Sequence, residues 1–150
     1  MTMSAMQVAV GLLARRDYSR YQIKSKLTQK GFLDGEIEAV LGQCESQGYL
    51  DDARFAGLLL RSHIAKGHGQ NKIRQSMSQK GLTREIIEST LNQSDCDWFE
   101  LARQKAAKKY ATSGPIQDQK DRARRVRYLL SQGFGFDQVA YALEVDPDFD

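Results

Sequence analysis

The sequence predicts an all-α fold of three tandem three-helix repeats in an elongated, curved array, and three observations predict it. Ala, Leu and Gln number 14, 15 and 14, against 7 Ile, 6 Val and 5 Thr. Unbranched side chains lose little rotamer freedom in a helix, whereas β-branched ones build strands. Both prolines, Pro115 and Pro147, fall late, so none interrupts a helix before Gly114. The third observation is self-similarity. Residues 19–41 align without a gap on residues 69–91 at an offset of 50, and a more diverged copy follows 52 residues further on.

Each element has a local reason. The repeats are expected at about residues 4–48, 49–93 and 94–145, with 146–150 as an acidic tail. In the first, Ser4 with Gln7 and Ser19 with Gln22 have the spacing of a capping box, and Tyr18 with Ile23 that of a hydrophobic staple. Gly31 then fits the left-handed position after a helix, with Phe32 able to touch Leu27 as in a Schellman ending. A third helix carries Ile37, Val40 and Leu41 on one stripe.

In the second repeat Asp51 caps a helix bearing Phe55, Leu58, Leu59 and Ser62. His68 and Ile73 repeat the staple spacing, Gly81 repeats Gly31, and Ile86, Ile87 and Leu91 form the last stripe. In the third, Asp95 or Asp97 caps a helix with Trp98, Leu101, Ala102 and Lys105, and residues 111–117 form the longest loop. Trp98 and Phe55 open apolar stripes and are read as core. Position 125 is Arg where the other copies have Ile23 and Ile73, so Val126 is expected to supply the apolar contact. Ala123, Val126 and Leu130 then face inward, and Arg124, Arg127 and Tyr128 outward. Gly133, Phe134, Val139, Ala142 and Leu143 complete the unit.

The chemistry of an enzyme is missing from this pattern. His63 and His68, the two histidines, are expected to diverge around a helix end at Gly67, with His68 packing where the first repeat has Tyr18. No phosphate-binding glycine loop, HExxH or zinc pattern occurs, so neither metal nor cofactor is expected. Asp51 reads as a cap and not as half of a metal site. Cys44 and Cys96 lie far apart with no metal-ligand spacing and are read as reduced thiols. The opening residues lack the basic region of a secretory signal, and no apolar run approaches the roughly 18 residues of a spanning helix. A cytoplasmic monomer without membrane contact is expected.

The net charge of +3 conceals a polarity: Glu144, Asp146, Asp148 and Asp150 crowd the last seven residues. The other 143 residues carry 15 acids and 22 bases, a net +7. Such an excess suits a polyanion, above all nucleic acid. The candidate contacts are Arg15, Arg16, Arg20, Lys24 and Lys30 in the first repeat and Lys72, Arg74 and Lys80 in the second. The third adds Lys105, Lys109, Arg122, Arg124, Arg125 and Arg127. Surface bases are more often a solvated helix face, and the acidic tail is read as a frayed end. A sequence-specific helix–turn–helix regulator is the alternative, although three similar units argue against one reading helix.

The segment Gly48-Tyr49-Leu50-Asp51-Asp52-Ala53-Arg54-Phe55-Ala56 resembles the G-Y-L-[DN]-D-x-x-[FY]-A run of the RecX family. Gly67 to Arg74, Gln79 to Leu82, Leu12 to Ser19 and Gly133 to Val139 are similar to its other segments, in the same order, over about residues 6–144. The resemblance implies a regulator without catalytic activity. Its family's three-helix repeats bind the RecA recombinase filament on single-stranded DNA and restrain its ATPase, strand-exchange and coprotease activities. It also implies binding to single- and double-stranded DNA without sequence preference.

Overall fold

The computed structural model describes residues 2–144, and these hold nine α-helices and no strand. They run in three sets of three: α1 (Ala5–Leu13), α2 (Arg20–Gln29) and α3 (Asp34–Ser46); α4 (Asp52–Ala65), α5 (Gln70–Gln79) and α6 (Arg84–Asn92); α7 (Trp98–Lys109), α8 (Gln119–Ser131) and α9 (Phe136–Leu143). Residues 110–118, between α7 and α8, are the longest connection among them. The tail acids Asp146, Asp148 and Asp150 lie outside the described residues.

The helix starts follow from side-chain caps. Ser4 Oγ accepts the Gln7 N–H at 3.1 Å while Gln7 Oε1 accepts the Ser4 N–H at 2.8 Å. Ser19 and Gln22 repeat the exchange at 3.1 and 3.0 Å. Asp51 accepts from the Arg54 N–H and Asp97 from the Glu100 N–H, both at 3.1 Å. The middle helix of each set ends alike. Phe32, Leu82 and Phe134 donate their N–H to the carbonyls of Leu27, Met77 and Leu129 at 3.3, 3.1 and 3.3 Å, the six-to-one bond of a Schellman motif.

The chain forms two compact units that do not follow the repeats. Among the described residues, one takes those up to Leu58 together with Met77–Thr90; the other takes Leu59–Ser76 together with those from Leu91 to Glu144. The core of the first gathers Ala5 and Ala9 of α1, Ile23 and Leu27 of α2, and Ile37, Leu41 and Cys44 of α3. The core of the second gathers Ala102 and Ala106 of α7, Val126 and Leu129 of α8, and Phe134 and Val139.

Each unit contains the same joint. In the first, Ser19 at the start of α2 is wholly buried, and its Oγ donates to the Lys80 carbonyl at 2.6 Å. Gly81 sits at φ +78°, and a Cβ there would fall 2.2 Å from Tyr21 Cβ. In the second, Gly69 aligns with Ser19. Its N–H donates to the Gln132 carbonyl at 2.8 Å, and the Asn71 N–H to the Gly133 carbonyl at 3.0 Å. A Cβ on Gly133 would fall 2.6 Å from the Lys72 backbone nitrogen. So the start of a middle helix is seated on the glycine turn of the next set, twice. This joint explains why each compact unit draws on two repeats.

Four expectations need correction. On α4 the buried residues are Phe55, Ala56 and Leu60, while Leu58 and Ser62 are exposed. The inward stripe is turned by about one residue, so that His63, half-buried, lies at its edge where His68 returns to meet it. Trp98 is only half-buried and stands outside the third-set core. On α8 the inward residues are Asp121, Arg125, Val126 and Leu129, and Ala123 and Leu130 are half-buried. Finally, His63 and His68 do not diverge. Gly67, at φ +77°, turns the chain so that the His68 N–H bonds to the His63 carbonyl at 3.0 Å. That reversal sets the two Nδ1 atoms 2.8 Å apart.

Candidate nucleic-acid interface

Two basic residues of the first set, Arg20 and Lys24, are compensated by its own acids. Arg20 pairs with Glu38 at 2.8 Å and Glu45 at 3.1 Å, and Lys24 pairs with Glu38 at 3.2 Å. These bonds lift the Arg20 pKa and lower that of Glu38, with the Arg20–Glu38 hydrogen bond the largest cause for both. Arg16 lies with its guanidinium 3.9 Å over the Tyr18 ring, and Arg15 and Lys30 are exposed. Arg74 donates to Asn71 Oδ1 at 3.0 Å. Lys80 is half-buried beside its carbonyl's bond to Ser19.

A different situation holds around the Gly67 turn. Lys66 and His68 flank the turn, Lys72 lies in the first turn of α5, and Lys105 and Lys108 approach from α7. Lys105 Nζ donates to the Lys66 carbonyl at 2.8 Å, closing the end of α4. A cleft of about 190 Å³ lies here, lined by Lys66, Gly67, Leu101, Gln104, Lys105 and Lys108. Burial lowers the Lys105 pKa, and the Lys72 and Lys108 charges lower it further. Burial, then Lys72, His63, Lys105 and Lys66, push His68 down to about 4. The lysines named in these two shifts, Lys66, Lys72, Lys105 and Lys108, all carry the same positive charge. The turn is therefore a concentrated positive field that an incoming anion would relieve.

The third set holds the remaining bases. Arg125, named among the candidate contacts, is not at the surface: it is 6% exposed and occupies the buried place of Ile23 and Ile73. Its charge is met by Asp121 at 3.2 Å, the Gly114 carbonyl at 3.0 Å and the face of Tyr110, 4.5 Å from its centroid. Arg124 is exposed and pairs with Asp121 at 2.6 Å. The Arg124 hydrogen bond, aided by the Gln117 N–H and Arg125, holds the Asp121 carboxyl below its ordinary range. Arg127 is exposed, and Lys109 Nζ lies 5.0 Å from the Tyr128 ring. Arg122, half-buried, lines a cleft of about 500 Å³ with Arg103, Arg125, Tyr110, Ile116 and Glu144.

Of the fourteen bases singled out from sequence, Lys72 and Lys105 are brought into the cluster at Gly67, and Arg122 and Arg125 into the neighbourhood of the larger cleft. Lys66, Lys108 and the histidine pair were not in that set. Gly67 was the available signal: a left-handed helix end places Lys66 beside the turn and folds His68 back on His63. The chemistry here is ionic and hydrogen-bonding, suited to holding phosphate groups.

Comparison with known proteins places this geometry in a family. Three family models match in order: the first three-helix domain of RecX over residues 5–44, the second over 51–91 and the third over 95–143. The chain is 41% identical over 147 residues to the regulatory protein RecX of Vibrio campbellii, covering 98% of this chain and 94% of that protein. It is 47% identical over 121 residues to that of Shewanella oneidensis, covering 72% and 95%. The crystal structure of RecX from Lactobacillus salivarius superposes with a TM-score of 0.80 at 18% identity, over 93% of this chain and 92% of that one.

Proposed function

The chain belongs to the RecX family, and from that premise we propose that it is a non-catalytic regulator of the RecA recombinase. On this reading it binds the RecA filament on single-stranded DNA. It restrains ATP hydrolysis, strand exchange and coprotease action, and so acts in recombinational repair and the SOS response. It also binds DNA alone, without sequence preference.

The observation that carries the DNA-binding part is the cluster at Gly67. Lys66, Lys72, Lys105 and Lys108 converge from three helices or their ends, whereas Arg20 and Lys24 of the first set are answered by Glu38 and Glu45. Uncompensated bases gain from phosphate contact; paired ones must first give up a partner. Arg127 extends the available charge on α8. No helix among the described residues is long and apolar enough to cross a membrane.

Fluorescence anisotropy on a labelled single strand over a salt series tests this. Each phosphate contact contributes about 0.7 to the slope of log K against log salt for a single strand. Replacing Lys72 and Lys108 together by Ala lowers the slope by roughly 1.4 on that basis. Arg124→Glu with Arg127→Glu weakens DNA binding and filament inhibition while leaving helicity intact. An unchanged salt slope in the lysine variant removes the cluster from the interface. A site-specific transcriptional reader, which the family membership does not favour, would instead prefer one duplex sequence by about 10³ or more.

A further inference from the structure

The Gly67 site holds two groups that its lysines do not account for. His63, near the end of α4, and His68, just past the turn, are the two histidines of the chain. The reversal at Gly67 sets their Nδ1 atoms 2.8 Å apart, with ring centroids at 5.0 Å and the rings tilted by 46°. Both residues are half-buried. At that distance one Nδ1 carries the proton of the bond and the other accepts it. A proton added at the outer nitrogen of the donating ring leaves the bond in place and makes it charge-assisted. A second would set two N–H groups against each other. The pair therefore accepts one proton.

The charges acting on this pair come from all three helices of the set or their ends. Lys66 lies beside the turn and Lys72 in the first turn of α5. Lys105 reaches over from α7, its stem so close that a Cβ on Gly67 would fall 2.8 Å from Lys105 Cδ. Burial, then Lys72, His63, Lys105 and Lys66, hold His68 at about 4, so at neutral pH its ring is uncharged. A phosphate brought to the same lysines cancels part of their field. The largest charge-based obstacle to a proton on the pair is then removed.

We propose that the His63–His68 pair is a proton-linked part of the Gly67 site: a DNA phosphate held by Lys66, Lys72 and Lys105 draws one proton from solvent onto the pair, so that strand binding tightens in mildly acidic medium. This rests on the DNA-binding reading above and adds which groups make the affinity depend on pH. Histidine is the side chain whose unperturbed pKa lies between pH 5 and 8, and the two that this chain has are in contact. In the complex the pair regains a value near the ordinary one of about 6.5. The bound state then holds more protons than the free one. Affinity is flat above about pH 6.5 and rises as pH falls from there toward about 4.

Anisotropy on a rhodamine-labelled oligo-dT, whose bases do not titrate in this range, tests it at fixed ionic strength. The wild type is expected to bind about tenfold more tightly at about pH 5.5 than at about pH 7.5. Calorimetry at the lower pH, in two buffers of different ionisation enthalpy, is expected to read the uptake of about one proton per protein bound. In His68→Tyr, and in the double variant His63→Gln/His68→Gln, the ratio of the two affinities falls below about twofold, with melting curves at both pH values checking that the variants are folded. Proton uptake near zero in the wild type overturns the linkage whatever the variants do. A pH dependence that persists in full in folded variants overturns its assignment to the pair. Equal binding of the strand at both pH values overturns the linkage and leaves the DNA-binding reading standing, whereas failure to bind oligo-dT at either pH overturns both.

Discussion

Arg125 replaces an isoleucine of the other two copies and is tolerated because Asp121, the Gly114 carbonyl and the Tyr110 face surround it. Removing one partner of a buried ion pair leaves the other uncompensated. Arg125→Ala is therefore expected to lower the melting temperature by about 5 °C or more. Arg127→Glu, on an exposed position, leaves melting unchanged and weakens DNA binding. Calorimetry beside anisotropy separates the two, and the opposite assignment would return Arg125 to the contact surface.

His68 makes a pH prediction. Its folded pKa is depressed to about 4 by burial and by Lys72, His63, Lys105 and Lys66, against about 6.5 in an unfolded chain. The unfolded state binds the proton more readily, so this contribution is fully present above about pH 6.5 and is lost as pH falls through about 4. His68→Tyr, which installs the residue of the matching first-set position, should flatten the decline in melting temperature between those values. An equal decline in both proteins would exclude His68 as its source.

The helices were largely legible because their causes are local. Ser4, Ser19, Asp51 and Asp97 cap the helices they were expected to cap, and Gly31, Gly81 and Gly133 end the middle ones. What the sequence could not show is the second duty of two of those glycines. All three require a left-handed backbone, yet only Gly81 and Gly133 also face the start of another helix. Replacing Gly31 by Ala incurs the left-handed penalty of about 1–2 kcal/mol. Gly81→Ala and Gly133→Ala add the collision to that penalty. They are expected to melt well below Gly31→Ala in parallel scans; equal losses in all three would mean that the joints contribute nothing.

The internal repeat made the order of the helices readable, but not which charges end up together. The pairing of Arg20 with Glu38 and Glu45, and the meeting of Lys72 with Lys66, Lys105 and Lys108, depend on contacts distant in sequence. Counting bases along the chain gives both groups equal weight. Burial and neighbouring charge separate them, and they move the candidate interface from the arginine-rich α8 toward the Gly67 turn. The histidines, read from spacing alone as divergent, become neighbours once the reversal at Gly67 is known.

Steady-state ATP hydrolysis by the recombinase on single-stranded DNA, titrated with this protein, bears most directly on the regulatory role. Hydrolysis should fall as the protein is added, at less than one molecule per recombinase subunit, and the Lys72→Ala/Lys108→Ala variant should require more protein for the same effect. A hydrolysis rate that stays level across the whole titration would contradict that role.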